Sequence, residues 1–220
     1  MHNIKGRLTK KTGVVAILAI AAMGGVALAS QSVLASLNAT AFNTTAQSIS
    51  TATLKLTQAP SGQTGLTAGF NTAVTNVAPG DTINRYVDIT NGGTMAGQSM
   101  TLQLADAANT VLTSDPTNGL QVVISECSTT FTATTGACGG TTTTALSSTS
   151  ANALVAAAKS LTVSSTAAGA VVHLKFAISL PAGSETTANG VLPLGTVQGL
   201  TSTLTWTFSE TQRLATNTNA

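Results

Sequence analysis

Charge is the scarcest ingredient of this 220-residue chain. Only 7% of its residues are Asp, Glu, Lys or Arg, and four of the nine cations, Lys5, Arg7, Lys10 and Lys11, fall in the first eleven positions. Beyond them Lys55, Arg85, Lys159, Lys175 and Arg213 stand against seven carboxylates, so the remainder is slightly acidic. A chain with no basic patch has few counterions to release from a phosphate backbone, which removes the usual electrostatic route to nucleic acid.

Histidine is almost as rare. After His2 only His173 remains, and it alternates with apolar neighbours in a strand-like stretch, where an exposed β residue is expected. His-Glu-x-x-His is absent, as is any Cys or His cluster with zinc spacing. No Gly-x-Ser-x-Gly elbow is present to present a nucleophilic serine. Asp81, Asp88, Asp106, Asp115, Glu126, Glu185 and Glu210 occur singly, without the spacing of a calcium loop, and are expected to be solvated surface groups. The residues therefore point to no enzyme, no metal and no cofactor.

Cysteine is limited to Cys127 and Cys138, with no Cys-x-x-Cys, which argues against redox catalysis. In an exported chain the two can pair and staple the short segment between them. Aromatic residues make up 3% of the chain, and the 43% hydrophobic content leans on alanine. The core must come from scattered Val, Leu, Ile and five Phe, which suits a thin β-sandwich better than a deep globule.

One long apolar run exists, Gly13 to Ala29, behind the basic residues of 1–12. Small-residue cleavage patterns follow at Ala27-Leu28-Ala29 and Val33-Leu34-Ala35. Residues 1–35 thus read as a secretory signal peptide cut between Ala35 and Ser36, with an alternative cut after residue 29. A retained anchor is the other reading, and the membrane would then be reached only through the uncleaved signal.

What remains is β-patterned. Val77 to Gly93 holds a strand (Ile83, Tyr86, Val87, Ile89) between the turn signals Pro79-Gly80-Asp81 and Asn91-Gly92-Gly93, with one slip in alternation at Tyr86 and Val87. Leu54 and Leu56 alternate with Thr53, Lys55 and Thr57, and Gln58 to Gly69 reads as turn-rich. Met100, Leu102 and Leu104, the run Leu120 to Ile124, Val172 to Leu180, and Leu204, Trp206 and Phe208 give further strands. Asn152 to Lys159 is the one helical stretch, of two turns at most, with Ser150 as its cap. Leu37, Ala39 and Ala41 form a weaker alternating set, and Asn38 and Asn43 open Asn-x-Thr sequons. These readings give an all-β antiparallel sandwich over 36–213, with one or two short helices in its loops and a flexible tail at 214–220.

Three pieces together, in order, resemble the TasA/camelysin family of bacterial surface and biofilm-matrix proteins. They are the leader, the segment Val77 to Thr94, and the end from Gln198 to Gln212 with its Leu204-Thr205-Trp206-Thr207-Phe208. The Thr53-Leu54-Lys55-Leu56 pattern is similar to the family's Thr-Leu-x-Leu, with Ala52 where the family usually has Gly. The cysteine loop has no counterpart in the family's fibre-forming members. The resemblance implies a jelly roll, processing by a dedicated signal peptidase, and secretion to the extracellular matrix or cell surface. It also implies assembly with itself and other matrix proteins, in which 36–47, carrying Leu37, Ala39, Ala41 and Phe42, is donated to a neighbouring subunit. Two other readings stay open: a monomeric surface-binding module, and a camelysin-like surface metallopeptidase.

Overall fold

The computed structural model describes residues 51–60, 69–70, 73–132, 135–185, 191 and 194–216. The proposed cleavage site at Ala35 and Ser36, the strand residues Leu37, Ala39, Ala41 and Phe42, and both sequons lie outside the described residues.

Eight strands and two short helices follow in the described residues: β1 (Leu56–Pro60), β2 (Thr82–Asn91), β3 (Gly97–Asp106), α1 (Val111–Ser114), β4 (Gln121–Cys127), β5 (Thr142–Ser150), α2 (Ala151–Ala156), β6 (Lys159–Leu161), β7 (Val171–Ser179) and β8 (Leu204–Gln212). They form a five-stranded sheet in the order β1-β2-β7-β4-β5 and a three-stranded sheet in the order β6-β3-β8. Every pairing is antiparallel. The fold is all-β and sandwich-like.

The turns expected around β2 are present. Gly80 takes φ +98°, which glycine adopts freely, and Asp81 N–H donates to the Ala78 carbonyl at 3.0 Å. At the far end the buried Asn91 amide donates to the carbonyls of Met95 and Thr166, and its Oδ1 accepts from Gly93 N–H. Gly93 must lack a side chain, since a β-carbon there would overlap the Thr53 carbonyl. The slip in the apolar pattern leaves the ladder regular: Thr82 to Thr90 pair continuously with β7. Tyr86 lies on the outer face, opposite Lys175, and is buried from that side by Phe131. The sheet is covered on both faces there, so two adjacent large residues need no bulge.

The main core lies between the sheets. Val172, Leu174, Phe176 and Ile178 of β7 meet Val87 and Ile89 of β2, Val122 and Ile124 of β4, and Met100, Leu102 and Leu104 of β3. Central position explains their burial, because β7 is flanked by strands on both sides. Each such side chain stabilises the fold by roughly 1.5–3 kcal/mol. Phe176 also anchors an aromatic cluster, with ring centroids 5.0 Å from Phe70, 5.3 Å from Trp206 and 6.1 Å from Phe208.

Several elements differ from the sequence pattern. β1 starts at Leu56 and runs through the stretch expected to be turns, while Thr53 and Lys55 instead accept hydrogen bonds from Gly92 and Thr94 through their carbonyls. The helix α2 begins as expected, with the Ser150 side chain accepting from Ala153 N–H, but stops at Ala156, and Lys159 opens β6. β5 is a strand with few apolar residues, and its pairing with β4 shifts register twice.

Candidate functional site

Cys127 and Cys138 form a disulfide with α-carbons 5.6 Å apart, and the segment between them folds over the outer face of the five-stranded sheet. Phe131 is buried against Tyr86, at 5.2 Å between centroids. Gly136, at φ +64°, brings the backbone against the Tyr86 hydroxyl where no β-carbon would fit. Burial raises the Tyr86 pKa. The loop is therefore a lid over one tyrosine, built from small and hydroxylated residues. Beside it His173 Nδ1 lies 2.8 Å from Asp88 Oδ1, with both side chains less than a fifth exposed. This corrects the expectation that His173 stands free on the surface: strand pairing places residues 88 and 173 directly opposite.

The carboxylates are not all solvated either. Glu126 is 2% exposed on the inner face of β4, where it accepts hydrogen bonds from the N–H of Ser164, at 2.8 Å, and from the Ser164 hydroxyl. Arg85 also faces inward, opposite Phe176, and burial lowers its pKa. Glu210 sits on the inner face of β8 opposite Met100, with both carboxylate oxygens shielded from solvent and without a hydrogen-bond partner. Burial raises its pKa. The sequence signal for both acids was their parity, since Glu126 continues the Val122, Ile124 alternation and Glu210 continues Leu204, Trp206, Phe208.

Elsewhere a depression of about 270 Å³ is lined by Val111, Asp115, Asn118, Ser184, Leu194 and Val197. Its acid is engaged by its own turn: Asp115 accepts from the N–H groups of Asn118 and Thr117 and from the Asn118 side chain, which lower its pKa. Among the described residues no three His, Cys, Asp or Glu side chains come together to hold a metal ion. No helix among them is long and apolar enough to cross a membrane.

The feature that sets this sandwich apart is a mismatch in width: five strands face three. One side is tied shut, because Thr162 N–H, just after β6, donates to the Ala145 carbonyl of β5 at 2.9 Å. On the other side the borders are β1 and β8. β1 is five residues long and ends in Pro60. β8 is nine residues long and, among the described residues, is paired only with β3. About half of those residues turn N–H and C=O groups away from β3, as alternation in an antiparallel ladder requires. Its inner side chains Leu204, Trp206, Phe208 and Glu210 are only half-buried, whereas those of β7 are nearly all fully covered.

No family model matches the chain, and no curated protein matches it either. Site geometry must therefore carry the functional argument. The structure brings together Cys127 and Cys138 as expected from sequence. The residues that sequence reasoning did not single out are the buried acids Glu126 and Glu210, and the Tyr86 and Phe131 pair.

Proposed function

We propose that this chain is an exported, non-enzymatic structural protein that forms or decorates extracellular fibres by head-to-tail strand addition. The supporting observation is the β8 margin: nine residues, one side paired among the described residues, and an inner face left half-covered where a three-stranded sheet stops short of a five-stranded partner. A strand added there gains main-chain hydrogen bonds whatever its side chains, and widens the narrow sheet towards a jelly roll. Residues 36–47 of another copy are the proposed donor, freed by signal-peptidase cleavage before Ser36. The contact is heterologous, so it propagates as an open filament unless it closes into a ring.

The test is electron microscopy with size-exclusion chromatography of the chain beginning at Ser36, beside a form lacking residues 36–47. Filaments from the first and monomers from the second are expected. Monomers from both, across concentration and pH, would overturn self-assembly and leave a monomeric surface-binding module as the better account.

A further inference from the structure

We infer that the Cys127–Cys138 disulfide is a thiol–disulfide exchange site: a small thiol attacks Cys138, and His173, held by Asp88, takes up the proton and stabilises Cys127 as the leaving thiolate. The exchange is a stoichiometric modification without turnover, and it is independent of strand addition.

Strand register sets Asp88 of β2, His173 of β7 and Cys127 of β4 in one row across the outer face, because residue 173 lies opposite both of the others. Opposed side chains on one face have β-carbons about 4.5–5.5 Å apart. The one histidine beyond residue 2 thus stands between a carboxylate and one of the chain's two cysteines. Its Nδ1 lies 2.8 Å from Asp88 Oδ1. An ionised carboxylate only accepts, so Nδ1 carries the proton and Nε2 of the neutral ring keeps its lone pair. The two ring nitrogens point to nearly opposite sides, so holding Nδ1 towards β2 turns Nε2 to the side where β4 and Cys127 lie. Among the described residues Nε2 takes no hydrogen bond.

The two sulphurs differ in access. Cys127 is 1% exposed, whereas Cys138 is only half-buried. An incoming thiolate therefore meets Cys138, with Cys127 as the leaving group. The new bond joins the incoming sulphur to Cys138 Sγ, the Cys127–Cys138 bond breaks, and its electron pair stays on Cys127 Sγ. The proton given up by the incoming thiol ends on His173 Nε2. The imidazolium then has a thiolate on one side and the Asp88 carboxylate on the other. Thr129 Oγ1, 3.6 Å from Cys127 Sγ, offers a hydroxyl donor to the same thiolate. A thiol beside an imidazolium has a lowered pKa, and a thiol of lower pKa leaves faster. The other titratable groups on this face near His173 are Lys175, the next outward residue of β7, and Tyr86, opposite Lys175 on β2. Residues 128–137 include no charged residue.

The experiment exposes the undenatured chain beginning at Ser36 to reduced glutathione across a pH series, traps free thiols with excess iodoacetamide and locates the products by peptide mass spectrometry. Glutathione on Cys138 and an alkylated Cys127 are expected. His173→Gln will slow opening of the disulfide about tenfold at neutral pH. A purely structural role for His173 gives the opposite sign, since a loosened loop bares the bond and speeds its opening. Asp88→Asn will slow opening as well, and Asp88→Glu will recover most of the rate. Glutathione on Cys127, no reaction without denaturant, or an unchanged or faster rate in His173→Gln overturns the inference. As a second measurement, Cys138→Ala leaves Cys127 as a thiol whose ionisation is followed by ultraviolet thiolate absorbance. Its midpoint is expected below the usual value of about 8.5 and is expected to rise when His173→Gln is added. A midpoint that His173→Gln does not move overturns the inference too.

Discussion

Tyr86 and Phe131 meet at 5.2 Å between ring centroids on the outer face of the five-stranded sheet, one from the middle of β2 and the other from the disulfide loop. The pair makes a second, smaller core outside the sandwich, closed by the Cys127–Cys138 link.

Loosening that outer core should leave the sandwich intact. Replacing both cysteines by Ser will lower stability by about 3 kcal/mol, since the loop closed is short. For a chain of this size that is a fall in Tm of about 6–10 °C, measurable by circular dichroism. Far-ultraviolet spectra will keep their β signature, because no ladder between β2, β7 and β4 depends on the loop.

Ser164→Ala will destabilise the fold by about 1–3 kcal/mol, because it leaves the buried Glu126 carboxylate short of one donor. Denaturant titration will show a lower midpoint with an unchanged slope. Combining it with Glu126→Leu will recover part of the loss, since an apolar pair of similar size needs no donor.

Glu210 will make stability fall as pH rises. Its folded pKa is raised by burial, so the folded state holds the proton more tightly than the unfolded chain. Stability is therefore greatest below the unfolded value of about 4.3 and declines as pH climbs through the folded one. Glu210→Gln removes that decline and will raise Tm at pH 7 by about 2–5 °C. A Tm series from pH 4 to pH 8, run on monomer, checks it.

Asp106 acts with the opposite sign. Burial by itself raises its pKa, but hydrogen bonds from the Thr113 hydroxyl, Ala108 N–H, the Ser202 hydroxyl and Thr110 N–H outweigh it and leave the net value lowered. Its stabilisation is present above the unfolded pKa of about 3.9 and is lost as pH falls through the folded value. Asp106→Asn will cost about 1 kcal/mol at pH 7, the modest figure suiting a group largely screened by solvent. The difference from the parent will shrink towards zero below about pH 3.

The readability of this fold follows the residues. β7 was plain because Val172, Leu174, Phe176 and Ile178 alternate without a break and are all buried. β5 was hidden because Thr142 to Ser150 offers only Ala145 and Leu146 to the core, adjacent in sequence and accommodated by register shifts. Tyr86 looked like a fault in the pattern because its cover, Phe131, comes from a loop far along the chain, and local periodicity carries no word of it. Glu126 and Glu210 were assigned to the surface by chemical type, whereas their places in the alternation put them inside. The width mismatch that frames the candidate site is a property of strand order, which no single segment encodes.

The bond from Thr162 to Ala145 makes the sandwich behave like a book bound along one spine. A bound volume takes a new leaf only at its free edge, and here that edge is long on one cover and short on the other. Under the strand-addition proposal, growth at such an edge would be single-file: one copy would accept one strand, and a short soluble peptide seated there would end the line. Branching would need a second free edge of comparable length, and β1, with five residues and Pro60 at its end, does not provide it.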